Sequence, residues 1–362
     1  MKTLYKTNQR KVPLQRVTQA DIADELGVAV STVQRALANS SRISEKTKRK
    51  VWNLAEKYGY KPSVIANAFA RRKTNMIGVI LGRHAINHME VFAAIEQEAN
   101  RAGYNVLLGI TDYNEENEHQ KVLQMVEHSV DGLIIASANP LWDMYNQLVE
   151  SGTAVVFFMP RFDIPFAPSV MYDREYANRI ATEHLISLGH RTIAFVDADS
   201  DCESARAKPI RGYLDAIARA GINVDERYIY YVKPRSDVPA GENRLIIYEN
   251  GFLAGEYLFS MNPRPSGIVV EGDELAAGLI GAARKFDVRI PEDVSIVSSK
   301  AGKLLSQLTP RVSGVAEPHY QMGRLLTKRV IDMIESPNSP IERISILKGE
   351  LILRESTKKV DS

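Results

Sequence analysis

The pattern of apolar and polar positions changes character once along the chain, near Met76. Before it, apolar residues recur three and four apart among charged ones, as on amphipathic helices. In residues 17–37, VTQADIADELGVAVSTVQRAL, this spacing is kept by Ile22, Leu26, Val33 and Leu37. Ala23 is small enough for a second helix to cross close to the first. Gly27, four residues on, suits a sharp turn whose positive φ disfavours a Cβ atom. Val33 can fill the gap against Ala23, and Thr18 is placed to cap the first helix. The pattern predicts a third helix opening at Ser44, with Val51, Leu54 and Ala55 inward and Gly59 near its end. Pro62 then begins a helix-compatible stretch, SVIANAFARRKTN, that runs into a basic linker.

After Met76, continuous apolar runs alternate with amphipathic stretches. The runs predict strands at 76–81, 105–110, 132–136, 153–158, 192–196, 228–232, 267–270 and 294–298. Helices are predicted around 90–102, 116–128, 141–150, 175–188, 206–220, 249–260, 274–286 and 317–335. Such alternation implies parallel sheets with helices on both faces. That many units exceed one comfortable sheet, so the expected fold class is α plus α/β: a helix-turn-helix headpiece followed by a two-lobed α/β core.

In a helix-turn-helix the second helix enters the DNA major groove. Its outward residues here would be Val30, Ser31, Gln34 and Arg35. An ordinary αα-hairpin shares the spacing, and charge weighs between the two. Residues 1–75 hold 16 Lys and Arg against 5 Asp and Glu, a surplus of 11. The rest holds 30 against 39, a deficit of 9, so the overall charge of +2 hides a polarised chain. A basic end neutralises phosphates and releases counterions. No apolar run reaches the roughly 18–20 residues of a membrane span. The start, MKTLYKTNQRKVPLQR, lacks the apolar stretch of a signal peptide. A cytoplasmic protein without membrane association is therefore expected. The single cysteine, Cys202, excludes an internal disulfide and a cysteine-based zinc finger. His84 and His88 have metal-compatible spacing but lack an intervening Glu and a third ligand, so no metal is expected. No nucleophile elbow, Walker A or G-x-G-x-x-G motif is present, so no catalytic residue and no cofactor is expected. Trp52 and Trp142 fit helix packing better than base stacking. The apolar face of 317–335 (Met322, Leu325, Leu326, Val330) fits core or subunit packing.

The first of a series of ordered landmarks is VTQADIADELGVAVSTVQRAL, followed by RISEKTKRKV and YGYKPSVIANAFARRKTNMIGVI. Further on come VDGLIIAS, YANRIATEHLISLGHRTIAFV, RGYLDAI, NGFLAGEYL, PSGIVVEGDELAAGLI, IPEDVSIV and LKGELILRES. In this order and spacing the chain resembles the lactose-repressor/galactose-repressor (LacI-type) transcription factors along nearly its whole length. The resemblance implies a basic arm at 1–16, a DNA-binding headpiece at 17–61 and a hinge helix with its linker at 62–75. It implies a core at 76–362 built like periplasmic sugar-binding proteins, with a small ligand between its lobes. A homodimer or tetramer is implied. The tail TKKVDS leaves no room for a leucine-heptad helix, which favours the homodimer.

Carried over residue by residue, the resemblance puts Val30, Ser31 and Arg35 where the family reads bases of operator DNA. Thr18, Thr32, Gln34 and Asn39 complete the headpiece contacts. Ser63, Ala66, Phe69 and Arg71 fall in the hinge segment, with Phe69 where the family wedges a Leu into the minor groove. Ala29 replaces the Ser that usually caps the recognition helix. In the effector cleft Gly272 stands for the family's Asn, Lys300 for its Asp and Pro209 for its Arg, with Arg206 and Lys208 nearby. Arg83, His84, Asn139, Arg161, Asp173 and Asp273 are the other expected wall residues. Arg83, Arg161, Arg206, Lys208 and Lys300 would make the cleft basic and suited to an anionic effector such as a uronate, a sugar phosphate or another small acid. A neutral sugar or nucleoside, and a pocket without a ligand, remain open. So do salt bridges of these cations with Asp173, Asp273 or Glu271. The expected function is a repressor of a catabolic operon, controlled by a sugar or sugar-like acid. The rival readings are a regulator with a vestigial pocket governed by a protein partner, a sugar receptor that binds no DNA, and a sugar-modifying enzyme.

Overall fold

The structure is a computed structural model. It describes residues 17–37, 40–58, 60, 73–82, 86–112, 114–136, 139–160, 162–198, 203–232 and 243–360. The chain forms two compact units, divided between Thr74 and Asn75.

In the first unit α1 (Gln19–Leu26), α2 (Val30–Leu37) and α3 (Glu45–Lys57) surround a small core of Ile22, Ala23, Val33, Ala36, Leu37, Val51 and Ala55. Thr18 and Asp21 cap α1 reciprocally. The Thr18 hydroxyl accepts the Asp21 N–H at 3.3 Å, and the Asp21 carboxylate accepts the Thr18 N–H at 2.7 Å. Gly27 ends α1 in the left-handed region at φ 63°, which lets Val28 N–H return to the Ala23 carbonyl at 3.0 Å. Ser44 caps α3 through Thr47 N–H. Trp52 does not pack inward as expected; it is 46% exposed. Val51 and Ala55, four apart, take the inner face of α3, and the next residue after Val51 turns about 100° away from it.

The second unit holds two six-stranded sheets. The first lobe runs β1 (Met76–Leu81), α4 (Ile86–Arg101), β2 (Asn105–Ile110), α5 (Glu115–Glu127), β3 (Gly132–Ile135), α6 (Trp142–Glu150), β4 (Ala154–Phe158) and β5 (Ser169–Tyr172). The chain crosses to the second lobe with α7 (Arg174–Ser187), β6 (Ile193–Ala198), α8 (Glu203–Arg219), β7 (Ile229–Val232), α9 (Asn243–Ser260), β8 (Gly267–Val270), α10 (Asp273–Lys285), β9 (Ser295–Ala301) and β10 (Ser313–Ala316). It returns for α11 (His319–Glu335) and β11 (Ile344–Leu347), then crosses a third time into β12 (Glu350–Ile352). The orders are β11-β5-β4-β3-β1-β2 and β12-β10-β9-β8-β6-β7, parallel except for β12, which pairs antiparallel with β10.

Each strand and helix predicted after Met76 is present, with ends shifted by up to six residues (Asn243–Ser260 against 249–260), while the hinge helix expected at 62–75 falls on 61–72, outside the described residues. Four short strands, β5, β10, β11 and β12, were not predicted. One apolar cluster runs through both lobes, from Ile77, Val79 and Leu81 through Tyr172 and Ala177 to Phe195, Val269 and Val297. The α11 face formed by Met322, Leu326 and Val330 lies in this cluster, so it is core. Trp142 is half-buried, edge-on to Phe162 and Phe166.

The helices α9 and α10 touch backbone to backbone. A Cβ at Gly251 would lie 2.3 Å from the Leu275 carbonyl oxygen, and one at Gly278 would lie 2.2 Å from that of Tyr248. Neither obstacle is a flexible side-chain end, so a methyl group has to push the helices apart. Gly278→Ala is expected to cost about 1–3 kcal/mol of stability. Urea unfolding of the full-length protein measures it, and an unchanged midpoint would show that the two helices separate without penalty.

Candidate DNA interface and candidate ligand cleft

The two faces of α2 are sharply divided. Val33, Ala36 and Leu37 enter the headpiece core, while Val30, Ser31, Gln34 and Arg35 are exposed and Thr32 is half-buried. Ala29 begins the helix with its carbonyl, which accepts Thr32 N–H at 2.8 Å and Val33 N–H at 3.3 Å. It has no side-chain oxygen to cap the remaining N–H groups. Thr18, expected at the interface, spends its hydroxyl on the Asp21 carboxylate at 2.8 Å. Asn39, Ser63, Ala66, Phe69 and Arg71 lie outside the described residues.

In the second unit the charged groups gather where the chain crosses between the lobes. Tyr172 ends β5 in the first lobe, yet its hydroxyl donates to the Ser299 carbonyl of β9 at 3.1 Å. Asp173 caps α7 by accepting Tyr176 N–H at 2.9 Å. Arg174 reaches the Glu271 carboxylate at 2.5 Å and lies 3.8 Å from Asp197. Burial works against the Arg174 charge, but Glu271 and Asp197 more than offset it and hold its proton more tightly than usual.

At the second crossing, buried Glu317 stands between Lys300, 4.0 Å away, and the His319 ring, 3.0 Å away. The other ring nitrogen of His319 meets Glu90 of α4 at 2.9 Å, and Lys303 meets the same carboxylate at 2.8 Å. Lys303, Glu90, His319, Glu317 and Lys300 thus form one chain of alternating charge that joins the two lobes. Asp273, at the start of α10, accepts Gly302 N–H at 2.7 Å. Burial pushes its carboxyl up to about 6, against the pull of that N–H and of Lys300.

Of the expected wall residues, the structure brings Asp273 and Lys300 together at the carboxyl end of the second-lobe sheet. It ties Asn139 elsewhere, its amide donating to Glu118 at 2.7 Å, where Glu118 also accepts the buried Tyr145 hydroxyl. Asp173 serves as a helix cap. Arg206 and Lys208 fall within α8, their side chains outside the description; Arg83, His84 and Arg161 are outside the described residues. Of the five cations expected to make the cleft basic, Lys300 alone has a described side chain; the other four lie outside the description. Lys300 lies 4.0 Å from Glu317 and also acts on Asp273, while the carboxylates of Asp197 and Glu271 stand beside Arg174. Sequence reasoning missed Glu90, Arg174, Asp197, Glu317 and His319. Only the adjacency of Arg174 to Asp173, and of Glu317 and His319 to a strand end, offered a signal.

Both His319 nitrogens face carboxylates. Burial lowers the tendency of the ring to protonate, but Glu317 and Glu90 outweigh it and raise the pKa above its ordinary 6.5. The stabilisation by His319 is therefore complete below 6.5 and is lost as pH rises through the lifted value. Glu317 and Glu90 are held below 4.5, so their contribution is lost only in acid. The wild-type melting temperature is expected to fall as pH rises above 6.5, more steeply than that of His319→Gln. Parallel slopes in the two melting series would remove His319 from this account.

Two family models match the chain. "Bacterial regulatory proteins, lacI family" matches residues 18–63, and "Periplasmic binding protein-like domain" matches residues 182–357. The catabolite control protein A of Priestia megaterium is 31% identical over 317 residues, covering 86% of this chain and 92% of that protein. The ribose operon repressor of Haemophilus influenzae is 26% identical, covering 94% and 98%. A structure of the lac repressor dimer bound to operator and the anti-inducer ONPF aligns with a TM-score of 0.80 at 21% identity, covering 95% of this chain and all of that one. The headpiece, the two-sheet core and the extent of these matches agree: the chain belongs to the lacI family of bacterial regulatory proteins, DNA-binding regulators of transcription.

Proposed function

We propose that this regulator represses a catabolic operon, binding a pseudo-palindromic operator as a homodimer, and that a small polar ligand held between the core lobes changes its operator affinity. The observation that carries the reading is the exposed row Val30, Ser31, Gln34 and Arg35 on α2, in a unit whose sequence has a large basic surplus. Arg35 suits guanine O6 and N7 in bidentate fashion, Ser31 can donate or accept, and Val30 offers an apolar contact to a thymine methyl. The similar lac repressor structure is a dimer bound to operator and to an anti-inducer, which supports the same arrangement here. The name of the ribose operon repressor supports a sugar operon as the class of target. Ligand control requires different affinities for two lobe arrangements, typically a coupling of about 1–3 kcal/mol. The crossings that carry Arg174, Glu317 and His319 are the part of the core where a ligand between the lobes would be felt.

Selection of bound genomic fragments by the full-length protein tests the reading. A two-fold symmetric consensus is expected, with affinity falling steeply as salt rises. Arg35→Ala is expected to weaken the operator complex by about 5- to 150-fold, corresponding to about 1–3 kcal/mol, and to relax one symmetric pair of base positions. Binding with no sequence preference, in the wild type as in the variant, would sink the proposal.

A further inference from the structure

Four strands stand at sheet edges: β11 and β2 in the first lobe, β12 and β7 in the second. An edge strand offers unpaired backbone groups to another chain, and proteins usually blunt it with charge, proline or a cover. The strand β11, with the sequence ISIL, holds neither a charge nor a proline. Of the four it alone carries two exposed large apolar side chains, Ile344 at 55% and Ile346 at 60%. Neither joins an apolar cluster of the described residues, whereas Val170 and Tyr172 of neighbouring β5 both do.

The hydrogen bonds to β5 fix which backbone groups of β11 turn outward. Ser169 N–H donates to the Arg343 carbonyl at 2.7 Å, and Asp173 N–H to that of Leu347 at 2.9 Å. Arg343, Ser345 and Leu347 therefore face β5. By alternation, Ile344, Ile346 and Lys348 direct their N–H and C=O groups away from β5, at the edge of the sheet. The side chains of Ile344 and Ile346 share one face, level with Ser169 and Met171 of β5. On the other face Ser345 is buried, its hydroxyl bound by Arg329 of α11.

We propose that β11 is a self-complementary edge, which pairs antiparallel with β11 of a second copy of this chain and so joins one homodimer to another. Pairing about Ser345 sets Ile344 opposite the partner's Ile346, and Ile346 opposite the partner's Ile344. Both members of each pair point outward, so each pair exchanges two backbone hydrogen bonds. Side chains directly opposite share a face, so the four isoleucines cover one another. The same register brings Glu342 level with the partner's Lys348. Glu342 binds Arg329 yet keeps 66% of its side chain exposed, and exposed Lys348 lies over the Tyr176 ring at 4.8 Å. A shift by two residues keeps the outward groups matched but sets Glu342 against the partner's Glu350 or the partner's Ile346. Only the register about Ser345 matches apolar with apolar and acid with base. Two such short strands bury much less than the roughly 800 Å² per partner of a stable interface. The contact is accordingly weak, suited to joining formed homodimers rather than to making one, and the proposal rests on the homodimer reading above.

Sedimentation of the full-length protein across the micromolar range measures this association. The wild-type mass is expected to rise beyond two chains with concentration, and Ile346→Lys to weaken that step about tenfold or more. The melting temperature of Ile346→Lys should stay at the wild-type value, because the side chain lies in no core. A register test adds no charge. In a Cys202→Ser background, which removes the one native cysteine, Ile344→Cys and Ile346→Cys proteins are oxidised separately and mixed. Facing positions lie about 5.5 Å apart and can form a disulfide, whereas like positions lie about 7–8 Å apart on the diagonal and cannot. Cross-linking in the mixture but in neither protein alone is expected, and it decides the matter if Ile346→Lys melts early. Equal association of wild type and Ile346→Lys, with equal melting, overturns the proposal. So does cross-linking as fast in the separate proteins as in the mixture. A wild type of two chains at every concentration overturns it and leaves the homodimer standing, while one that stays a single chain overturns both.

Discussion

The three residues Tyr172, Asp173 and Arg174 impose the constraint on which the core depends. They form a crossing between two sheets, and each carries one part of the connection. Tyr172 belongs to a first-lobe strand but binds the second-lobe backbone at Ser299. Asp173 closes the N-terminus of α7. Arg174 holds the carboxylate that follows β8. Parallel strands present all their carboxyl ends on one side of a sheet, so ligands of such sheets bind there. The crossings run over the same side. The groups that connect the lobes and the groups available to a ligand are consequently neighbours, and some are shared.

This neighbourhood explains why charge at the cleft comes in chains. A charge withdrawn from water is costly unless it is paired. Lys300 is the clearest case. Considered alone, it reverses the sign that the family resemblance leads one to expect, and a basic pocket follows. Considered with Glu317, buried 4.0 Å away and bound in turn to His319, it is one link in a series that ends on Glu90 and Lys303. Only Glu317 and His319 are buried on both sides of their contact, and removing one partner of such a pair typically costs about 3–5 kcal/mol, because the other group is left behind.

Much of the fold was legible because it rests on local pattern. GVIL, GLII, AVVFF and GIVV are fully buried parallel strands, and such strands are continuously apolar whatever surrounds them. The missed strands lack that mark. In β11 the residues Ile344 and Ile346 are exposed and Ser345 is buried, and the strand exists because β5 is there to pair with it. The site was legible only in part for a similar reason. Asp273 and Lys300 could be located from landmarks in the sequence, whereas Arg174, Asp197 and Glu317 look like ordinary surface charges until the crossings bury them. Trp52 shows the converse: a large aromatic residue that the packing of Val51 and Ala55 turns outward.

The headpiece obeys a different limit. Its apolar core is seven residues, and α2 has eight residues, fewer than the roughly 12–15 at which an isolated helix becomes even marginally stable. Its order must come from the burial of Val33, Ala36 and Leu37 against α1 and α3. Ala29 withholds the side-chain cap that a Ser would supply, a difference of about 0.5–2 kcal/mol at such positions. That leaves the N-terminal N–H groups of α2 turned outward beside Val30 and Ser31, without a side chain from Ala29 to satisfy them. Helix N-termini in this condition favour anions. The missing cap thus weakens the free helix and leaves at its end donors suited to a phosphate, so the order of α2 and its contact with a DNA backbone would strengthen one another.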